Sequence, residues 1–373
     1  MGADPQGPRF QIAQFKEPPM RSLILLSLAT AVLYEGVQPK TNYTAERELL
    51  IESECTLEMT QVAFEIVRDG EPMEMPDRGD ISSSETRTVV VRETIQDVDK
   101  AGAPTQALRA FETVETSAVQ AWGDEEMENE REGRLHEVTL ALKIEEDEVV
   151  CEVEDGVEPE EEEALEGHKL GLALDFALPT EEVGEGDSWE LDNDAVRAVL
   201  GLDIERALYG GRVGTPEDEG GGRGGRGGRG GRRGGMRGGG SFGTLVQAEW
   251  EGEATLEAME EDLDGVKCYL IALSFEASGE YEPPQRERGG GRGGRGGRAL
   301  ELEAGASLVG VSYEAELEGK LWFAIEEGRP AQLELEGDVS IISETIREWG
   351  ESSMEMYRES EGEFELSVTI TEE

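Results

Sequence analysis

The chain has 373 residues, 37% of them hydrophobic, and 85 acidic against 34 basic residues, a net charge of -51. That is enough apolar material for a buried core, which excludes wholesale disorder, and the charge disfavours nucleic acid and anionic membranes as partners. Three cysteines, Cys55, Cys151 and Cys268, without Cys-x-x-Cys or Cys/His spacing, exclude a structural zinc site and a disulfide-rich scaffold.

Residues 1–39 predict a disordered lead followed by an export signal. The first part is proline-rich and aperiodic. Met20-Arg21 then precedes the apolar run SLILLSLATAVLY, and Ala29-Thr30-Ala31 suits signal-peptidase cleavage. The run is shorter than the roughly 20 residues a membrane-spanning helix needs. The expected location is periplasmic or extracellular, or cytoplasmic if residues 20–33 belong to the mature fold instead.

Residues 40–211 form a first β-rich half. ELLIESECTLEM, VAFEIVRDGEP, ETRTVVVRETIQDV, LRAFETVETSAVQAW, RLHEVTLALKI and DEVVCEVEDG alternate apolar and polar residues with a period near two, the mark of half-buried antiparallel strands. Asp69-Gly70 and Asp155-Gly156 read as turns between them. LGLALDFALP reads as a further strand ending at Pro179. One helix follows, capped by Asp192 or Asn193, with Val196, Val199, Leu200, Ile204 and Leu208 on one face. Cys55 and Cys151 are the better pair for a disulfide in an oxidising compartment, although each reads first as a small buried hydrophobe.

Residues 212–241 are an arginine–glycine linker, and its stretch 220–240, GGGRGGRGGRGGRRGGMRGGG, carries Arg223, Arg226, Arg229, Arg232, Arg233 and Arg237 without an acid. It has nothing with which to build a core and reads as flexible loop. Strand text resumes over 242–373, with a turn at Asp264-Gly265 and a second basic loop at 285–298 that includes Arg292, Arg295 and Arg298. This second loop stands where a hairpin tip belongs. With residues 220–240 and 286–298 set aside, 23 basic residues face 84 acidic ones, a net of -61. The whole predicts a mainly β fold: a large curved antiparallel sheet or open barrel with one or few short helices, interrupted by flexible Arg/Gly loops.

Val183-Gly184-Glu185-Gly186-Asp187-Ser188-Trp189, Leu263-Asp264-Gly265-Val266-Lys267-Cys268, Gly319-Lys320-Leu321-Trp322-Phe323 and Glu327-Gly328-Arg329-Pro330 resemble exported β-rich proteins of planctomycete-like bacteria. The curved sheet with short helices is similar to that of the lipoprotein-carrier (LolA-like) group. The resemblance spans about residues 40–373 outside the basic tracts and implies a cavity for an acyl chain or peptide. Its motifs are structural, so no ligand residue transfers.

Chemistry-bearing patterns are sparse. No nucleophile elbow, metalloprotease helix or phosphate loop occurs, and the GxG strings of the tracts follow no strand–turn–helix unit. His136 beside Glu137, with Cys55 or Cys151 on a neighbouring strand, is the one arrangement a hydrolase would use. The expectation is therefore no catalytic residue, cofactor or metal. The sequence points to an exported, non-enzymatic protein that binds a hydrophobic ligand or serves as a structural or interaction protein. The alternative is RNA or polyanion binding through the nine arginines named above, which equally suit docking on an acidic protein surface.

Overall fold

The computed structural model describes residues 36–73, 81–146, 148–210, 241–281, 305–349 and 352–372. The expected mainly β architecture is present. Among the described residues, one antiparallel sheet holds β1 (Glu48–Arg68), β2 (Glu71–Pro72), β3 (Ile81–Val98), β4 (Pro104–Trp122), β5 (Glu125–Glu132), β6 (Val138–Glu145) and β7 (Glu148–Asp155). It continues through β8 (Ser188–Leu191), β9 (Trp250–Leu263), β10 (Val266–Tyr281), β11 (Gly305–Ala324), β12 (Arg329–Trp349) and β13 (Ser352–Glu372). The order across it is β7-β6-β4-β3-β1-β13-β12-β11-β10-β9-β8, with β2 beside β1 and β5 beside β4, so the sheet is open. Two meanders run outward from a central seam that joins the first long strand to the last. There Leu49 opposes Glu372 and Arg68 opposes Met354.

Turn chemistry falls where the sequence places it. Asp69-Gly70 (φ 50° and 82°) and Asp264-Gly265 (φ 51° and 91°) are two-residue turns with both residues left-handed, which matches the twist of the strands they join. Strands β10 and β11, which flank the second basic loop in sequence, pair from Cys268–Ala324 out to Tyr281–Val311, and the loop itself lies outside the described residues. At Gly186-Asp187-Ser188-Trp189, Gly184 N donates to Asp187 Oδ2 at 2.7 Å and Trp189 Nε1 donates to Ala177 O at 3.1 Å, fixing the start of β8.

Alternation buries one face of the sheet. Leu49, Leu57, Leu256, Phe275, Leu333 and Phe364 pack there against a layer of short helices that includes Val196, Val199, Phe242 and Leu245. Gly319, Gly337 and Gly362 cross this face diagonally on β11, β12 and β13. A Cβ on any of them would run into a carbonyl oxygen of the adjacent strand, from Glu334, Glu316 and Glu58 respectively. Glycine lets the strands approach here and the sheet bend around its core.

The helical layer corrects the sequence reading in three places. The cap at Asp192 is real, its Oδ1 accepting from Ala195 N at 2.9 Å. The single helix is not: α1 (Asn193–Val199) ends before Gly201, which adopts φ 69°, and α2 (Glu205–Tyr209) starts anew. LGLALDFALP is not a strand but a 3-10 turn over Ala173–Ala177, and α3 (Ser241–Gln247) occupies text that reads as strand. Short apolar runs fit either state, and these lie over the sheet rather than within it. The Cys55–Cys151 pairing also fails. Cys55 on β1 and Cys151 on β7 stand four strand steps apart, at about 4.8 Å a step, far beyond disulfide reach, and all three cysteines are free.

Candidate functional site

Arg223, Arg226, Arg229, Arg232, Arg233, Arg237, Arg292, Arg295 and Arg298 lie outside the described residues. What the structure places is the anchorage of the first tract. Tyr209 closes α2 just before it and Phe242 opens α3 just after it, and both rings pack on Arg87 of β3. The guanidinium carbon is 4.8 Å from the centre of Tyr209 and 3.8 Å from that of Phe242. Arg87 also pairs with Glu205 and, at 2.8 Å, with Glu85. The described residues that flank the first tract thus meet at one half-buried cation.

The polar face of the sheet carries most of the order in the chain's charge. Strand register sets Glu58, Glu363, Asp338, Glu316, Glu276 and Glu251 side by side on β1, β13, β12, β11, β10 and β9, all exposed. One rung away, Glu365, Glu336 and Glu318 repeat the pattern on three adjacent strands. That second rung lies in a trough of about 800 Å³ that also takes in Glu54, Glu253, Glu257 and Glu334, with Lys320 its one cation. The strings EAELEG, LELEGD and EGEFEL carry this face in the sequence. Period two reveals it strand by strand, but only the register shows that the acids line up across strands.

Polar groups on the buried face form structural networks, in which Glu93 Oε1 and His168 Nδ1 have no hydrogen-bond partner among the described residues. Arg109 Nε donates to Glu93 Oε2 at 2.7 Å, and Arg109 Nη2 donates to Lys169 O at 3.0 Å. Burial raises the Glu93 carboxyl pKa while Arg109 lowers it, and burial wins. Thr41 and Tyr43 donate to the two oxygens of Asp175, and Leu172 N donates to Tyr43 Oη at 2.7 Å, tying the segment before β1 to the 3-10 turn. Burial pushes the Asp175 carboxyl up to about 6. His168, edge-on to Phe111, donates from Nε2 to Ala164 O at 3.1 Å, and burial holds its imidazole down at about 4.

His136 lies in a turn rather than a strand, and its Nδ1 accepts from Val114 N at 3.1 Å, so this nitrogen is committed to the backbone. Burial raises the thiol pKa of Cys55 and of Cys151, which disfavours the thiolate. Among the described residues, no group of three or more His, Cys, Asp or Glu side chains is arranged to hold a metal ion, and no helix is long and apolar enough to cross a membrane. No protein-family model matches the chain, and no curated protein matches it.

Proposed function

We propose that this is a non-enzymatic interaction protein whose acidic sheet face binds extended basic segments of the arginine–glycine type. The observation that carries the reading is the rung of six carboxylates on six neighbouring strands, Glu58 through Glu251. Like charges directly opposed across strands destabilise a sheet, and a cationic partner removes that cost. The spacing suits arginines three residues apart. An extended or polyproline-like chain advances about 9–10 Å over three residues, and two strand steps across a sheet come to about the same distance. Arg223, Arg226, Arg229 and Arg232 keep that period, and Arg292, Arg295 and Arg298 repeat it. A tract laid across the strands sets a guanidinium over every second strand, between carboxylates that can share its fork. Each exposed pair contributes on the order of 1 kcal/mol or less, so binding is additive along the rung and weakened by salt.

The test titrates a fluorescent peptide of residues 220–240 against protein lacking that segment, at low and high salt. Neutralising Glu363, Asp338 and Glu316 together (E363Q, D338N, E316Q) should weaken binding at least about tenfold. Neutralising the exposed acids Glu125, Glu126 and Glu128 of β5 should change it less than about twofold. Equal losses in the two variants would mean general attraction to a negative protein and would sink the reading.

A further inference from the structure

The anchorage of the first tract and the acidic rung lie on opposite faces of the sheet. Arg87, on which Tyr209 and Phe242 pack, stands opposite Cys55 of β1, and Cys55 stands opposite the buried Leu366 of β13, so the clamp is on the face under the helices. Glu58, three residues along β1, alternates onto the other face with Glu363, Asp338, Glu316, Glu276 and Glu251. The described residues that flank 211–240 are thus held on one side, and the acids that suit the arginines between them are on the other.

Chain length decides how the two can meet. From Arg87 the nearest edge of the described sheet is β5, two strands away through Thr116 and Arg131. Passing round that edge and back to Glu58 takes five strand steps and the thickness of the sheet, about 34 Å in all. Arg232 is ten residues from Phe242, at most about 33–36 Å of extended chain, so this leg would be drawn taut. Glu251 lies about 58 Å from the clamp by the same route, beyond the roughly 46–50 Å that the fourteen residues from Tyr209 to Arg223 can span. A leg taken round the opposite edge would first have to cross the helical layer. Pulling a glycine-rich chain straight also forfeits the conformational freedom that glycine has most of. Offered to another molecule, the same arginines need only stand clear of the clamp, with both legs slack.

We propose that the acidic face of one molecule takes the first tract of a second copy, each copy donating from its helix-covered side and accepting on its carboxylate side. The inference rests on the reading that the rung binds arginine–glycine segments, and it names the source of the segment. Donor and acceptor are different surfaces, so the contact is heterologous. It leaves a free tract at one end and a free face at the other, and it grows into an open chain rather than a closed pair. Copies at -51 repel, but that field is screened beyond about 8 Å at physiological ionic strength, and guanidinium and carboxylate meet well inside this distance. Association is therefore weak, concentration-dependent and dissolved by salt. Reach does not discriminate for the second tract, whose flanking strands β10 and β11 themselves hold Glu276 and Glu316 of the rung.

The experiment follows the full chain by sedimentation velocity across a wide concentration range, at low and high salt. At low salt the average mass should climb past that of a dimer, and at high salt it should return to the monomer. Two variants separate the roles: E363Q/D338N/E316Q keeps the tract and loses the face, and replacement of residues 211–240 by a short glycine–serine link keeps the face and loses the tract. Each alone should self-associate at least about tenfold more weakly than the parent. Mixed, they should form a one-to-one complex and nothing larger, because only one can donate and only the other can accept. Arg292, Arg295 and Arg298 are left in place in both, so self-association of the tract-less variant as strong as the parent's would overturn the proposal. A parent that stays monomeric while the tract-less variant binds the peptide of residues 220–240 overturns it and leaves the underlying reading standing. In that case, tighter peptide binding by the tract-less variant than by the parent would put the tract on its own face. A peptide that fails to bind the tract-less variant overturns both.

Discussion

Asp175 and His168 are buried near the same Glu93–Arg109 pair, and burial moves their protonation in opposite senses. Asp175 titrates at about 6 in the fold against 3.8 unfolded, so the fold binds its proton more tightly and gains stability as pH falls through 6. His168 titrates at about 4 against 6.5, so the fold refuses its proton and loses stability as pH falls from 6.5 to 4. The two effects largely cancel in mild acid. Asp175→Asn removes one of them: urea denaturation at pH 7 and pH 4 should show the variant losing about 2 kcal/mol relative to the parent on acidification. A difference that does not change with pH would mean that Asp175 is as free to ionise as a surface carboxyl.

Among the elements, the glycine diagonal on β11, β12 and β13 makes the sharpest claim. Gly337→Ala should destabilise by about 1–3 kcal/mol, because its Cβ meets Glu316 O and Leu317 Cα of the adjacent strand and the strands must part. Gly310→Ala on β11 finds nothing within 4 Å and should be neutral or slightly stabilising. Thermal unfolding of the pair separates bending from loss of glycine freedom. The contrast also shows what the sequence contains. Strands and turns were legible because alternation and Asp-Gly pairs are local signals. The helix-like segment at 173–177 and α3 were not, since DFALP and FGTLV carry no period that separates a strand from a turn of helix over a sheet. The acidic rung was out of reach for another reason. It depends on which residues stand opposite one another on strands up to about 300 positions apart in sequence, and register is set by the assembled sheet.

At the scale of the molecule, the Arg87 clamp holds together the two residues, Tyr209 and Phe242, that flank the first tract. Replacing residues 211–240 with a short glycine–serine link should leave the melting temperature within about 3 °C of the parent, because the entropy of closing a loop changes slowly with its length and Tyr209 and Phe242 are already held together. Arg87→Ala in the same background should lower it by more, since Glu205 and Glu85 would lose their cation. The central seam carries a consequence for synthesis. β1 is made before β3 and finds it soon after, but its other edge waits for β13, the last strand of this sheet in sequence order. Until then a strand of 21 residues presents an unpaired backbone edge, with the acids on its polar side as its main defence against wrong partners. The glutamates that crowd the finished sheet would then also keep nascent chains apart during the interval when the two half-sheets have yet to meet.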